Sequence, residues 1–566
     1  MQENREGNSK KHWSREEVAG KIIDFEQAAK HFASQRQLAE ELEIPRSTLQ
    51  HWLKRKDSID AAPEVVAFFE SPAGVAFLHR LVLAAHFVMT LLGPCGIRLV
   101  CMFLELSGLD RFVAASYSSH QEVSTAMEEA VVEFDKEEKR HLAEEMEPKK
   151  VTVCQDETFH PEICLVAIEP VSNFILLEKY ASNRKADEWT ASMQEATEGL
   201  PIEVIQSTSD EGKGILHHVK EELGAHHSPD LFHVQQELVK GTSVVLEAKK
   251  SQAQKTVEEA TQELHRHQEE KEAYLSSHRE PGRPPDFDKR ILEAQQNKAK
   301  ADEALEIAHT HQERAKKAIQ DIGEVYHPYD TETGVIKSAE EVSLSLEKCF
   351  SEIEEVASEA SLPERCLKRI KKAKRVVVNM VATIAFFFLM VRAKVEALGL
   401  PLEVEEAVFH NLIPGIYFNL VSEKAKSAEQ RHKLRKLSED LLAPLRARDG
   451  PFCGLDQEDR RLIEQVAEEC AQLFQRSSSC VEGRNGQLSL RHHSMHRISD
   501  RKLAALTTVH NYFVKRSDGT TAAERFFGTR PRNLFEWVMG RVDLPGRPAQ
   551  KRSQPKRKEY LSAAAV

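Results

Sequence analysis

Four strand-like runs close together constrain the fold of this chain more than any other feature. Residues 151–157 (VTVCQDE), 162–171, 173–181 and 202–210 are rich in β-branched and apolar residues, a composition typical of β-strands. A helical segment, residues 184–200, separates the third run from the fourth. Three strands, a helix and a further strand predict one α/β sheet, and sites in such sheets lie near the carboxyl ends of the strands.

Three acidic residues stand where such a sheet could use them. Asp156 ends the first run, Asp210 ends the fourth, and Glu482 lies far downstream in a segment predicted to pack beside the sheet. If the two strands are neighbours, the two aspartates reach one edge, and the glutamate completes a site for two Mg²⁺ ions. The alternative is that the aspartates are turn residues and the glutamate is a solvated helix residue.

The segment around Glu482, SSSCVEGRNGQLSLRHH at residues 477–493, holds a single acid among many hydrogen-bond donors. Carboxylate oxygens bind hard cations, whereas arginine and amide groups suit a phosphate backbone that passes over them. We therefore predict that Arg484, Asn485 and Arg491 contact DNA.

Residues 34–57 predict a helix-turn-helix. Leu38, Ala39 and Leu42 form an apolar face on the first helix, Ile44 fills the turn, and apolar residues recur at helical spacing in the second. Donors on the outward face of the second helix suit phosphates and base edges in a major groove. The predicted DNA contacts are Arg46, Ser47, Gln50, Lys54 and Arg55. An ordinary helical hairpin with a solvated basic face is the alternative.

The chain resembles the DDE transposases of bacterial insertion sequences. The resemblance lies in the stretches TSDEGKG, DLFHVQQEL, SSSCVEGRNGQLS and DGTTAAERFFG, and it covers about residues 30 to 540. It implies an α/β RNase-H-like catalytic domain interrupted by a large, partly coiled-coil all-α insertion and preceded by a helix-turn-helix and helical region. By the same resemblance, Asp156, Asp210 and Glu482 are the catalytic and metal-binding triad for two Mg²⁺ ions, with Mn²⁺ able to substitute.

Asp230 and His233, in PDLFHV, are similar to the motif of a Cys or Asp, two residues and a His in Mutator-like and hAT transposases. In those relatives the motif follows the second Asp and supports the active site. A packed strand end with a core histidine is the alternative here.

Six regions are expected along the chain. The predicted regions are a helix-turn-helix at 1–62, a helical linker domain at 63–148, the first part of the catalytic core at 149–239, a helical insertion with a charged hairpin at 240–475, the C-terminal part of the core at 476–542, and a basic disordered tail at 543–566. The role of the charged hairpin stays open between a dimerisation or DNA-end clamp and a solvated spacer.

The function expected from these features is Mg²⁺-dependent cleavage at element ends, followed by attack of the freed 3′-OH on target DNA. Two alternatives remain: a domesticated or inactive transposase-derived regulator that only binds DNA, and a nuclease without strand transfer. The expected partners are double-stranded DNA and further copies of this chain, as a homodimer or larger assembly, and no membrane.

Composition bears on the compartment. The net charge of −12 argues against coating nucleic acid through the overall field, and nine cysteines without a C-x-x-C pair suit reduced thiols. The apolar run at 376–391 is shorter than a typical membrane span, which predicts a buried helix. A cytoplasmic, nucleoid-associated protein is expected.

Overall fold

A computed structural model describes residues 13–30, 34–159, 162–277, 285–495 and 497–549. Most of the break REPGRPPDF expected within the charged hairpin, and residues 550–566 of the expected basic tail, lie outside these ranges.

The chain is mostly helical. Helices make up 69% of the residues that the structure describes, whereas strands make up 8% of them and form one small five-stranded mixed sheet. The prediction of an α/β RNase-H-like fold class interrupted by a helical insertion is therefore wrong. The reason lies in the packing, because the most extensive apolar core is built among helices between Leu231 and Phe474 rather than on the sheet.

The sheet has the strand order β3-β2-β1-β4-β5. Its strands are β1 (Lys149–Phe159), β2 (Ile163–Glu169), β3 (Phe174–Ala181), β4 (Ile202–Ser209) and β5 (His226–Pro229). β1, β2 and β3 pair antiparallel, while β4 runs parallel to β1 and β5 runs parallel to β4. The first four strands match the four predicted runs. β5 was not predicted, because its sequence, HHSP, has none of the residues that favour strands.

The first seven helices precede the sheet. They are α1 (Arg15–Ala29), α2 (Gln35–Glu41), α3 (Arg46–Asp57), α4 (Pro63–Phe69), α5 (Pro72–His86), α6 (Ile97–Leu106) and α7 (Tyr117–Glu145). α2 and α3 flank a short turn, and Ala39, Ile44 and Leu49 form the buried centre of the three-helix N-terminal unit. This is the arrangement that residues 34–57 predict.

Helices cover both faces of the sheet. α8 (Ala186–Thr197) and α9 (Lys213–His217) pack on one face, where Trp189 is fully buried. The opposite face packs against α7 and the C-terminal helices, which are α19 (Ser479–Met495), α20 (Asp500–Tyr512), α21 (Ala522–Phe527) and α22 (Leu534–Met539).

The remaining helices lie between β5 and α19 in sequence. They are α10 (Leu231–Ser276), α11 (Phe287–Val325), α12 (Ala339–Glu359), α13 (Glu364–Lys374), α14 (Val377–Glu396), α15 (Leu402–Ala407), α16 (Ile413–Lys424), α17 (Ala428–Arg446) and α18 (Gln457–Gln472). α10 and α11 pack along each other as the charged hairpin. α10 begins directly after β5, so one rigid helix joins the sheet edge to the helical core.

Two helical segments, Pro72–Leu92 and Glu364–Glu396, are long and apolar enough to cross a membrane by length and composition. In the fold, 50% and 39% of their apolar windows are buried. Core helices of soluble proteins pass the same test, so these segments do not make the chain clearly a membrane protein.

Candidate metal centre at the sheet edge

Asp156 lies inside β1 and is 8% exposed. Its Oδ2 accepts a hydrogen bond from the Asn485 amide at 3.1 Å. The pKa of Asp156 is raised to about 7, chiefly by burial. The negative charges of Glu482 and Asp210 contribute to this rise, while a backbone hydrogen bond and the charge of His233 oppose it. A buried carboxyl beside other acids is a group that a bound cation would stabilise as the anion.

Asp210 follows β4 directly. Gln155 of β1 pairs with Ser209 of β4 in parallel, so the aspartates that follow them, Asp156 within β1 and Asp210 just beyond β4, lie at neighbouring positions. The Oδ1 atom of Asp210 accepts a hydrogen bond from the Gly212 N–H at 3.0 Å. A Cβ at Gly212 would lie 2.9 Å from that oxygen, so a side chain there would displace the carboxylate.

Asp230 and His233 stand at the start of α10. Asp230 caps this helix through the Phe232 N–H at 2.8 Å and accepts a hydrogen bond from the Ser478 hydroxyl. One turn later, the Nε2 atom of His233 lies 3.7 Å from Asp230 Oδ2 and 3.7 Å from Glu482 Oε1. Within the described part of the chain, this buried nitrogen has no hydrogen-bond partner.

Glu482 lies in the first turn of α19, which packs on β1 and β2. Its carboxylate is partly exposed, with 38% of the side chain accessible. The helix is held by two arginines that follow Glu482 in sequence, Arg484 and Arg491. Arg484 makes a two-point ion pair with Glu178 of β3, at 2.7 and 2.6 Å, and both side chains are buried.

Further along α19, Arg491 donates to the carbonyl oxygens of Leu91, Leu92 and Gly93 at 2.7 to 3.1 Å. The three residues predicted to contact DNA in this segment therefore make internal contacts here. Arg484 and Arg491 fix α19 against the sheet and α5 region, and Asn485 holds Asp156. Their side chains position Glu482.

The structure brings together Asp156, His233 and Glu482, which each offer one ligand atom within 4.8 Å of the other two. Two carboxylate oxygens and an imidazole nitrogen suit a divalent transition metal, and the oxygens also suit Mg²⁺. Asp210 is close enough to raise the pKa of Asp156 but is not one of the three.

Sequence reasoning placed His233 in a supporting role and did not identify it as a potential ligand. The signal that could have identified this ligand was the spacing of Asp230 and His233 directly after the end of a strand. The contact between Asn485 and Asp156 was also missed, because nothing in the sequence pairs residues 329 positions apart.

The helix-turn-helix presents a second polar surface. Arg46, Ser47, Gln50 and Lys54 are exposed on α3, and their spacing places them on one side of the helix. Arg55 instead donates to the backbone carbonyls of Arg547 and Pro548, at 3.2 and 3.0 Å. Gln50 donates a hydrogen bond to the side chain of Gln35 at 3.1 Å. Arg46, Ser47 and Lys54 remain exposed to solvent, while Arg55 ties α3 to the C-terminal segment.

Comparison with known proteins gives one match. Residues 408–554 match the model of a family of unknown function, DUF6399. The matched part contains Glu482 but none of the aspartates or the histidine described above, and it spans well under half of the chain. No curated protein matches this sequence.

Proposed function

We propose that this chain is a divalent-metal-dependent DNA nucleotidyltransferase of the DDE transposase type. It would cleave DNA at element ends and join the freed 3′ ends to target DNA. The observation that carries the proposal is the convergence of Asp156, His233 and Glu482 from three separate elements, with Asp210 beside them.

The residues present fit a cation. A buried carboxyl with a raised pKa and a buried imidazole nitrogen without a hydrogen-bond partner both gain from a positive charge between them. Asp156, His233 and Glu482 would hold this ion, and Asp210 is available for a second. Bound Mg²⁺ or Mn²⁺ supplies activation of the attacking oxygen and stabilisation of the leaving oxygen of a phosphodiester.

The protein residues contribute binding and orientation. Asp156 is about half protonated near pH 7 in the metal-free state, because its pKa is raised to about 7, so cation binding releases the remaining proton. Asp230, which caps α10 and is fixed by Ser478, sets the position of His233 one turn later. The Arg484–Glu178 pair keeps Glu482 facing the site.

Double-stranded DNA is the proposed partner, both as element ends and as target. The exposed donors of α3 would read the ends through the major groove. Synapsis of two ends calls for a homodimer or larger assembly in the DNA complex. The corresponding location is the cytoplasm, in association with the nucleoid.

The test is cleavage of a labelled duplex that contains the DNA flanking the coding region, in Mg²⁺ or Mn²⁺. We expect Asp156→Ala and Glu482→Ala to reduce cleavage to background, and Asp210→Ala to do the same if a second ion is needed. Asp449→Ala, in an exposed loop, is the matched control and should cleave like the parent.

Equal cleavage by all variants would end the catalytic assignment. If the parent binds DNA but cleaves it in neither metal, the remaining hypothesis is a regulator that only binds DNA.

A further inference from the structure

α13 is the most basic of the helices next to the candidate metal centre. Over residues 364–374 it carries six lysines or arginines and one acid. Its apolar side, Cys366, Ile370 and Ala373, is buried against the helical core. No sequence motif drew attention to this helix.

The cations of α13 divide into two groups. Arg369 pairs with Glu237 at 3.0 Å and Lys374 pairs with Glu354 at 2.6 Å, so these two hold the helix in place. The others are exposed, and none makes an ion pair with any described residue. Together with Arg375, which is also exposed and directly follows the helix, this second group forms a surface that we call the α13 basic face: Arg365, Lys368, Lys371, Lys372 and Arg375.

The α13 basic face is one continuous surface. At 100° per residue, its five positions fall within roughly a third of the helix circumference, and cations three residues apart are separated by about 4.5 Å along the axis. Five unpaired positive charges at this spacing stand out in a chain whose net charge is −12. Such a row suits a polymer with regularly spaced negative charges.

The basic face borders the candidate metal centre. Lys372, Ala373 and Val376 line one cleft of about 210 Å³ together with Asp210 and His233. The placement of α13 is rigid, because Gly241 of α10 lets the two helices approach closely. A Cβ at Gly241 would lie 3.3 Å from the Cys366 carbonyl oxygen and 3.3 Å from Arg369 Cβ.

We propose that the α13 basic face binds the phosphate backbone of the DNA strand that enters the metal centre. This inference rests on the proposed function and names a surface for it that the helix-turn-helix does not supply. Acidic ligands at the centre repel a polyanion, so the strand needs cations beside them, and Lys372 is a lining residue of the adjoining cleft. The contacts are to phosphates, so they carry no sequence preference.

An anionic membrane is the competing partner, since α13 directly precedes the apolar helix α14. DNA is favoured because Lys372 lines the same cleft as Asp210 and His233. In addition, Met380, Ile384, Phe387 and Val391 of α14 are buried inside the fold.

The experiment compares the full-length parent with Lys368→Gln/Lys371→Gln/Lys372→Gln. Arg435→Gln/Lys436→Gln/Arg461→Gln removes the same charge from exposed positions of α17 and α18 outside the cleft. Binding of a labelled duplex is measured in Ca²⁺ at several salt concentrations. We expect the α13 triple variant to bind about tenfold or more weakly, with a salt slope less negative by about 2 to 3.

Two further measurements make each outcome decisive. Acetylation of surface lysines, read by mass spectrometry on the parent, should show Lys368, Lys371 and Lys372 protected by DNA, independently of how the variant folds. Flotation with phosphatidylserine vesicles tests the membrane.

Equal affinity and slope for both triple variants, with no protection of these lysines, would overturn the inference while leaving the proposed function intact. Binding to vesicles but not DNA by the parent would overturn both. Cleavage by the α13 variant at saturating DNA is measured separately, because its metal ligands are unchanged. This measurement reports on the proposed function, whereas DNA affinity reports on the α13 basic face.

Discussion

Replacing the buried carboxyl of Asp156 with an amide, in Asp156→Asn, should stabilise the metal-free protein at alkaline pH. The carboxyl is buried, and burial raises its pKa to about 7. An asparagine has nearly the same shape and keeps an oxygen that can accept the hydrogen bond from Asn485. The substitution therefore removes the cost of a buried negative charge and leaves the packing in place.

The sign and size of the effect follow from proton linkage. Between its ordinary pKa of 3.8 and about 7, Asp156 keeps a proton in the folded state that the unfolded chain has released. Stability of the parent therefore falls as pH rises through this window, by about 1.4 kcal/mol per unit, and levels off above it. From pH 5 to pH 8 the loss is about 2 to 3 kcal/mol, and Asp156→Asn does not suffer it.

The assay is thermal denaturation in EDTA at both pH values. At pH 8 the Tm of Asp156→Asn relative to the parent should exceed its value at pH 5 by about 4 to 10 °C, if the unfolding unit is a domain of ordinary size. Asp449→Asn, in an exposed loop, is the matched control and should show no such pH dependence. A Tm difference that is the same at both pH values, or lower at pH 8, would refute the assignment of a buried carboxyl with a raised pKa at this site.

Three further perturbations test other parts of the account. His233→Asn should weaken Mn²⁺ binding by at least about tenfold and Mg²⁺ binding by less, in calorimetric titrations, because imidazole is a better ligand for transition metals than for Mg²⁺. Glu178→Gln should destabilise the protein by about 3 to 5 kcal/mol, since it leaves the buried Arg484 unpaired. Arg46→Gln/Lys54→Gln should weaken DNA binding and make its salt slope less negative by about 2.

Glu178→Gln has a matched control, and the other two perturbations have outcomes that would contradict them. Glu195→Gln breaks an exposed ion pair with Lys179 and should leave the Tm nearly unchanged. Equal losses of Mg²⁺ and Mn²⁺ affinity in His233→Asn would argue that the histidine only positions Glu482. Unchanged DNA affinity after the double substitution in α3 would mean that α2 and α3 form an ordinary helical hairpin that does not bind DNA.

The sequence allowed prediction of local structure wherever the signal was local. β-Branched runs located β1 to β4, and the apolar spacing in residues 34–57 located α2 and α3. The fold class was predicted wrongly, because the strand signal is concentrated in one short region while the helices that form the main core are spread over many less distinctive segments.

The site was predictable only in part, for a similar reason. Asp156 and Glu482 stood out through their sequence contexts, and the structure places them together. Which neighbour completes the cluster depends on how α10 leaves β5, and β5 was not predicted, so His233 was assigned a lesser role. Arg484 was predicted to bind phosphate, but its partner in the structure is Glu178 of β3. A partner on a distant strand cannot be inferred from the sequence.

The central claim is that Asp156, His233 and Glu482 hold one divalent cation. Anomalous diffraction from crystals grown with Mn²⁺ tests this most directly. We predict a strong peak within about 2.0 to 2.3 Å of a ligand atom from each of the three side chains. The lack of a peak among these three residues at saturating Mn²⁺ would contradict the claim.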